Sequence, residues 1–404
     1  MKKNILHLDL DTFFVSCERL IDTRLQNRPL LVGGTGDRGV VAACSYETRT
    51  FGVQSGMPMK VAKRLCPEAI VIRGDSSIYT KYSHLVTEII KEKVPLFEKA
   101  SIDEFYADLS GMDQFFGSYK YASELRQTII RESGLPISFG LSSNKIVSKV
   151  ATGEAKPNNQ LLIDQGYEKS FLAPLSIRKI PSVGEKTYQV LRNLGISKVK
   201  TVQQMPLEMM VSVLGANGKT IWKRANGIDN PPLVPFYERK SISTERTFTK
   251  DTIDMTKLTE TIFAMAENLA YQLRKGNKLT STVSVKIRYS DFNTYTKQLK
   301  IPYTSADHII IPAVLDLFKK LYQRRLLIRL VGVKMTDIVS GNYQINLFDD
   351  SQEMLRLYKA MDTIRNKYGE LSIMRATSMG AKTIGRFDNP FSGEPPVVLA
   401  HRKQ

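Results

Sequence analysis

The chain has 404 residues, 58 Lys+Arg against 40 Asp+Glu, a formal charge of +18 and a sequence pI of about 9.6. A hydrophobic content of 42% excludes a disordered chain; no charge-free stretch reaches the ~18 apolar residues of a membrane span, and Asp9 and Asp11 interrupt any signal segment behind the basic start. Three scattered cysteines (Cys17, Cys44, Cys66) with no CxxC pair, and only four histidines, exclude a disulfide framework and argue against structural zinc.

At roughly 150 residues per domain, two or three cores are expected, or one large core with appendages. The reading is a soluble, cytoplasmic protein whose positive field favours a polyanion. Nucleic acid is the first candidate and an anionic membrane surface the second.

From Asn4 to Asp11 the sequence alternates: Ile5, His7, Asp9 and Asp11 fall on one side, with Leu6, Leu8 and Leu10 on the other. That is the period of a strand. Phe13-Phe14 then begins a helical stretch through Arg19, and strands are expected at 29–32 and 40–44. Residues 98–109 read as a tight strand pair with acids near its bend. A helix at about 119–133, a strand at 137–141 and a helix at about 143–152 complete an α/β unit.

Residues 174–230 turn short, helical and glycine-punctuated: Gly184 opens, and Gly195 closes, a helix carrying Val190, Leu191 and Leu194. The proline-dense run Asn230–Pro235 marks a domain boundary.

Beyond it, a strand near 241–248 precedes a helix at about 256–275 with Leu258, Ile262, Met265, Leu269 and Leu273 on one face. Strands near 281–289 and 295–301, a helix at about 308–323 and a strand near 328–338 follow. The order is β-α-β-β-α-β, a split βαβ arrangement. Val283, Val285, Ile287 and Tyr289 alternate with Lys286 and Arg288, so one face can bury while the other offers cations to phosphates or to water. A last helix near 351–368 is expected to pack through Met354, Leu357, Met361, Ile364 and Tyr368, and the composition beyond Gly385 is that of a mobile end.

Two phosphate-loop lookalikes fail. Gly34-Thr-Gly-Asp-Arg-Gly39 runs into a strand, so no helix N-terminus receives a pyrophosphate. Gly218-Lys219-Thr220 lacks the glycine five positions earlier, where Val213 stands.

The acids are more informative. Asp9 ends an apolar strand, where a carboxylate is costly unless paired or bound to metal; Asp103-Glu104 lies between Ile102 and Phe105 in a second strand-like segment. Three carboxylates at adjacent strand ends would suit Mg²⁺ and a two-metal phosphoryl transfer. Exposed turn residues and a blunted strand edge are the alternative. Cations stand nearby in sequence: Arg49, Lys60, Lys63, Arg64 and Lys156. Each could meet a triphosphate or merely face solvent.

The motifs His-Leu-Asp9-Leu-Asp-Thr-Phe-Phe14, Tyr46-Glu-Thr-Arg49-Thr-Phe-Gly-Val, Ala100-Ser-Ile-Asp103-Glu104, Ser142-Ser-Asn-Lys145, Ala155-Lys156-Pro-Asn and Arg239-Lys-Ser-Ile-Ser-Thr-Glu-Arg246 stand in one order. Together, over about residues 1–348, they resemble the Y-family translesion DNA polymerases of the bacterial DinB type. The resemblance implies an α/β (α+β) right-hand polymerase with palm, small fingers, helical thumb and a βαββαβ little finger. It divides the chain into palm (1–10 and 74–165), fingers (11–73), thumb (166–233, helix-hairpin-helix-like), linker (234–240), little finger (241–341) and a clamp-binding motif with C-terminal extension (342–404).

The same resemblance makes Asp9, Asp103 and Glu104 the catalytic, metal-binding acids, with the backbone carbonyl of Leu10 as a further ligand and Asp11 in support. Phe14 matches the steric gate that excludes a ribose 2′-OH; Phe13 is counted with it on the substrate side, although its place reads as core. Tyr46, Arg49 and Lys156 match contacts to the incoming triphosphate. Ser182 stands where many relatives have glycine in the thumb's DNA-holding loop. Gln344-Ile-Asn-Leu347-Phe348 resembles the peptide that docks on the sliding clamp, with Gln344 in a polar subsite and Leu347-Phe348 in an apolar pocket.

The expected partners are therefore primer-template DNA, dNTPs, two Mg²⁺ ions and the β clamp, with no membrane and a monomeric chain. The competing readings are a UmuC-like catalytic subunit that needs partners, a nucleotidyl cyclase, and a non-catalytic DNA-binding accessory.

Overall fold

A computed structural model describes residues 3–112, 117–341, 352–369 and 372–381. Gln344–Phe348 and the end beyond Gly385 lie outside the described residues. The chain divides between Tyr237 and Glu238 into two units. The proline-dense run belongs to the first, where the Val234 amide donates to Glu98 Oε2 at 2.8 Å.

The first unit begins with β1 (Ile5–Leu10), α1 (Phe13–Ile21), β2 (Leu30–Gly33), β3 (Val41–Cys44), α2 (Tyr46–Arg49), α3 (Met59–Leu65), β4 (Ile70–Ile72) and α4 (Ser76–Lys93). It continues through β5 (Phe97–Lys99), β6 (Glu104–Asp108), α5 (Ser118–Ser133), β7 (Ile137–Ser142), α6 (Lys145–Ala155) and β8 (Gln160–Leu162). A five-stranded sheet runs β5-β6-β1-β7-β8, so β1 is central. Its alternation decides both faces. Leu6, Leu8 and Leu10 bury against Val86, Ile89 and Ile90 of α4 and Leu125 and Ile129 of α5. On the other face α6 approaches so closely that a Cβ on Gly140 would lie 2.3 Å from the Ser148 carbonyl oxygen. Only glycine permits that approach.

A second, three-stranded sheet runs β3-β2-β4 over its own core of Leu31, Val41, Met59 and Ala62. The Gly34–Gly39 stretch is the connection between antiparallel β2 and β3, in keeping with its rejection as a nucleotide loop.

The helical part holds α7 (Glu168–Leu172), α8 (Glu185–Asn193), α9 (Val199–Gln204), α10 (Leu207–Leu214) and α11 (Ala216–Ala225). They pack around Ile177, Leu191, Val199, Val202, Met210 and Ile221. Gly218-Lys219-Thr220 lies inside α11, not in a loop.

The second unit follows the expected order, with longer strands: β9 (Ser241–Thr252), α12 (Met255–Lys275), β10 (Lys278–Tyr289), β11 (Thr294–Thr304), α13 (Asp307–Leu321) and β12 (Ile328–Ser340). The antiparallel sheet is ordered β11-β10-β12-β9. Val283, Val285, Ile287 and Tyr289 are buried, as are Leu258, Ile262, Met265, Leu269 and Leu273 of α12. On the opposite face Lys286 pairs with Glu245 at 2.5 Å and Arg288 donates to Thr294 Oγ1 at 2.8 Å.

The last helix, α14 (Gln352–Tyr368), buries Met361 and part of Met354 as its apolar spacing predicts, but the rest of that stripe does not turn inward. Leu357, Ile364 and Tyr368 are 47%, 37% and 67% exposed, whereas Tyr358, Met361 and Arg365 are buried. A buried ion pair overrides the apolar stripe: Arg365 Nη2 meets Glu267 Oε1 at 2.8 Å, both side chains being enclosed. Arg274 joins Asp307 at 2.6 Å and Asp362 at 2.7 Å, and Arg375 joins Asp307 at 2.9 Å. Charges pulled inside must be paired, and these pairs set the helix rotation. Among the described residues no helix is long and apolar enough to cross a membrane.

Candidate active site

The site forms where β1 and β6 end together. Asp9 lies directly opposite Glu104 in the antiparallel register, and the Leu10 amide donates to the Asp103 carbonyl at 3.0 Å. Asp9, Leu10, Asp103 and Glu104 are therefore brought together, although Asp9 and Asp103 are far apart in sequence. The Ser101 hydroxyl donates to Asp103 Oδ1 at 2.5 Å, a local turn that fixes this carboxylate.

Two lysines face the acids. Lys156 Nζ lies 2.5 Å from Asp9 Oδ1 and 3.4 Å from Asp11 Oδ1, and Lys149 Nζ lies 2.5 Å from Glu104 Oε2. Asp11 is 1% exposed and accepts hydrogen bonds at Oδ2 from the Ser138 hydroxyl (2.8 Å) and the Asn158 amide (2.6 Å). It thereby ties the segment carrying Lys156 to the end of β1.

Burial pushes the Asp9 carboxyl up to about 6 against the pull of Lys156, with Glu104 and Asp103 adding like charge. Burial also opposes ionisation of Glu104, but His7 and Lys149 outweigh it and hold that carboxyl down to about 2. Burial lowers the His7 imidazole to about 4, so it is neutral at pH 7. Its Nδ1 meets Thr152 Oγ1 at 2.8 Å, and its Nε2 points at Glu104 from 4.0 Å. Among the described residues His7 Nε2, Asp11 Oδ1 and the Tyr46 hydroxyl are buried polar atoms without a hydrogen-bond partner.

As they stand, no three described His, Cys, Asp or Glu side chains are grouped to hold a metal ion. The donor set nonetheless fits a hard divalent cation. It consists of carboxylate oxygens and a backbone carbonyl at one strand end, already in contact with ammonium cations on Asp9 and Glu104.

Of the expected substrate-side residues, Lys156 and Tyr46 lie beside the acids. Phe14 stacks on Tyr79 with ring centroids 4.3 Å apart and planes 15° from parallel. Phe13 is buried behind it in the core. The Arg49 guanidinium lies 4.8 Å from the Tyr46 ring centroid. Asp11 and Asp9 raise the Tyr46 phenol further after burial, which places it beside the acids. Lys60, Lys63 and Arg64 lie exposed on or beside α3.

Sequence reasoning did not single out His7, Lys149 or Thr152. Lys149 lies on α6 and Lys156 is the extended residue that caps its C-terminus, so helical spacing alone does not bring the two lysines to one place. Lys145, quoted only as part of a motif, pairs with the buried Glu98 at 2.8 Å.

Comparison with known proteins agrees with this architecture. Residues 8–153 match the impB/mucB/samB family model, residues 239–347 its C-terminal domain and residues 166–196 the IMS family HHH motif. The chain is 38% identical to DNA polymerase IV of Dehalococcoides mccartyi, over 92% of this chain and 96% of that one. It is 33% identical to DNA polymerase IV of Desulfatibacillum aliphaticivorans over 90% and 94% of the two chains, and 32% identical to that of Treponema denticola over 91% and 95%. Its fold resembles a solved Y-family DNA polymerase chimera with a TM-score of 0.72 at 24% identity, covering 84% of this chain and all of the other. The chain belongs to the impB/mucB/samB family, the Y-family of translesion DNA polymerases, among relatives named DNA polymerase IV.

Proposed function

We propose that this polymerase adds deoxynucleotides to a primer 3′-OH under template direction, releasing pyrophosphate with low fidelity and without proofreading, and that Asp9, Asp103, Glu104 and the Leu10 carbonyl hold two Mg²⁺ ions there. The carrying observation is the register that sets Asp9 against Glu104 with Asp103 bonded beside Leu10. When bound, the ions would activate the 3′-OH and neutralise charge on the attacking and leaving oxygens.

The chain's own groups do the rest. Lys156, held over the site by the grip of Asp11 on Asn158, is placed to turn from Asp9 to an incoming triphosphate. Tyr46 and Arg49 present a hydroxyl and a guanidinium to the same anion. Phe14, backed by Tyr79, is a rigid wall against a ribose 2′-OH. Residues 1–10 and 74–165 serve as palm, 11–73 as fingers, 166–233 as thumb and 241–341 as little finger, whose open face carries Lys286 and Arg288 toward the duplex.

Gln344, Leu347 and Phe348 would dock a β clamp, and the chain would work as a cytoplasmic monomer. The named relatives favour this reading over a UmuC-like subunit or a DNA-binding accessory.

One assay tests it: primer extension with Mg²⁺ and purified chain alone. Asp103→Ala should lose several kcal/mol of transition-state stabilisation, on the order of 10³-fold in kcat; undiminished synthesis would remove Asp103 from the site. Phe14→Ala should admit ribonucleotides, and unchanged sugar selection would dismiss the gate. Leu347→Ala with Phe348→Ala should lose clamp stimulation, and full stimulation would dismiss the docking peptide. Failure of the wild type without added proteins would favour the UmuC-like reading.

A further inference from the structure

On the face that α6 covers, β1 carries two enclosed side chains of different kinds. Ile5 is apolar, as such a position favours, whereas His7 is a polar ring only 1% exposed. An imidazole shut away from water is costly unless both of its nitrogens are partnered. Nδ1 meets the Thr152 hydroxyl of α6 at 2.8 Å, but Nε2 has no hydrogen-bond partner among the described residues. It faces Glu104 Oε2 at 4.0 Å, about 1 Å beyond hydrogen-bond length.

Thr152 bears on which nitrogen carries the proton. Its hydroxyl has one hydrogen and three acceptors in reach: His7 Nδ1, the Ser148 carbonyl at 2.9 Å and the His7 carbonyl at 3.0 Å. The two carbonyls already serve the helix and the sheet, so Nδ1 is the acceptor in need. Given the hydroxyl proton there, a neutral ring keeps its own proton on Nε2, aimed at Glu104. The other tautomer would set a bare lone pair against a carboxylate in an enclosed space.

Glu104 has a second, looser partner. Lys149 holds Oε2 at 2.5 Å through a side chain that is 35% exposed, a flexible point charge able to withdraw. We infer that His7 is a positioning residue for the divalent cations: when the Lys149 ammonium gives way, Glu104 accepts from Nε2–H, and that bond sets how its carboxylate faces the metal. The inference rests on the polymerase reading above, in which Glu104 is a ligand. His7 touches neither substrate nor metal and acts through the carboxylate.

Packing is the competing role, since the ring also lies against Tyr106 with centroids 4.6 Å apart. Two substitutions rank the roles in opposite order. His7→Phe keeps a ring and loses the N–H, whereas His7→Gln loses the ring and offers an amide N–H at nearly the reach of Nε2.

The test uses the full-length chain, reading Mn²⁺ affinity by calorimetry without DNA and the Mg²⁺ concentration that half-saturates primer extension. His7→Phe should weaken Mn²⁺ binding about tenfold, the lower end of the loss when a group behind a ligand is removed. The half-saturating Mg²⁺ concentration should rise by the same factor, with kcat at saturating Mg²⁺ and primer-template affinity unchanged. His7→Gln should stay within about threefold of the wild type, because its amide can still donate to Glu104. His7→Asn reaches Thr152 but not Glu104, so it should behave like His7→Phe and replaces it if that variant does not fold.

Stronger binding by His7→Phe than by His7→Gln would mean that the ring only packs, and would overturn the inference. Wild-type Mn²⁺ affinity in His7→Phe or His7→Asn would do the same. Glu104→Gln separates this from the reading beneath it. If that variant loses Mn²⁺ binding while His7→Phe and His7→Asn keep it, the inference alone fails. If Glu104→Gln keeps both Mn²⁺ binding and synthesis, Glu104 is no ligand and the reading of the metal site fails as well.

Discussion

Each unit contains a cluster of opposite charges, and the two are put together differently. At the ends of β1 and β6, four acids (Asp9, Asp11, Asp103, Glu104) face two lysines, and three buried polar atoms nearby have no hydrogen-bond partner among the described residues. Between α12, α13 and α14, three acids (Glu267, Asp307, Asp362) face three arginines (Arg274, Arg365, Arg375) at 2.6 to 2.9 Å. Lysine is a point charge on a flexible stem that can withdraw, whereas the guanidinium fork fixes geometry. An acid excess held by lysines is a cluster ready to exchange its cations. A balanced set of arginine forks is a weld between helices.

The sharpest way to break that contrast is to remove one cation from each cluster. Arg365→Met leaves Glu267 buried and short of its closest partner, and should cost the second unit about 3–5 kcal/mol, read as a lower denaturant midpoint. Adding Glu267→Met should recover most of it. A wild-type midpoint for the single variant would show that α14 is not welded.

Metal binding gives a middle-sized test. Asp9 sits above its ordinary 3.8, at about 6, so between those values the native chain keeps a proton that the unfolded chain has released. Ionising Asp9 therefore lowers stability as pH rises through that window, and the same proton competes with a divalent cation. Affinity measured by calorimetry should fall about tenfold per pH unit below pH 6; a flat profile would refute Asp9 as a ligand. Glu104 runs the opposite way. Held at about 2 against an ordinary 4.5, it contributes stability that is present above 4.5 and lost as pH falls toward 2.

The smallest effect is expected from Lys149→Met. Both partners of that pair are partly open to solvent, so stability should change by no more than about 1 kcal/mol, while divalent affinity rises because a competing ammonium is gone. Weaker metal binding in this variant would mean that Lys149 helps to build the site.

What was legible in the sequence followed from local pattern. The alternation from Asn4 to Asp11 placed the acids on one side of a strand, and the order of elements after Asn230 described the second unit. What was not legible depended on partners distant in sequence. The inward turn of α14 is dictated by Glu267, about a hundred residues earlier, and apolar spacing is blind to a buried arginine. His7 and Lys149 became visible only when α6 was laid against β1.

The central position of β1 has a consequence for how the protein is made. Ile5 leaves the ribosome near the start of synthesis, yet its partners in the sheet are Asp108 and Ser142. Until β7 has been translated, the leucine face of β1 has no complete sheet to join, and closing so long a loop delays the nucleus. The nascent chain must keep Leu6, Leu8 and Leu10 from foreign surfaces during that interval, a task for chaperones. A product that stops before β7 keeps the β1–β6 pair that sets Asp9 against Glu104, but it leaves the second edge of β1 open and lacks Ser138 and Asn158, the groups that hold Asp11.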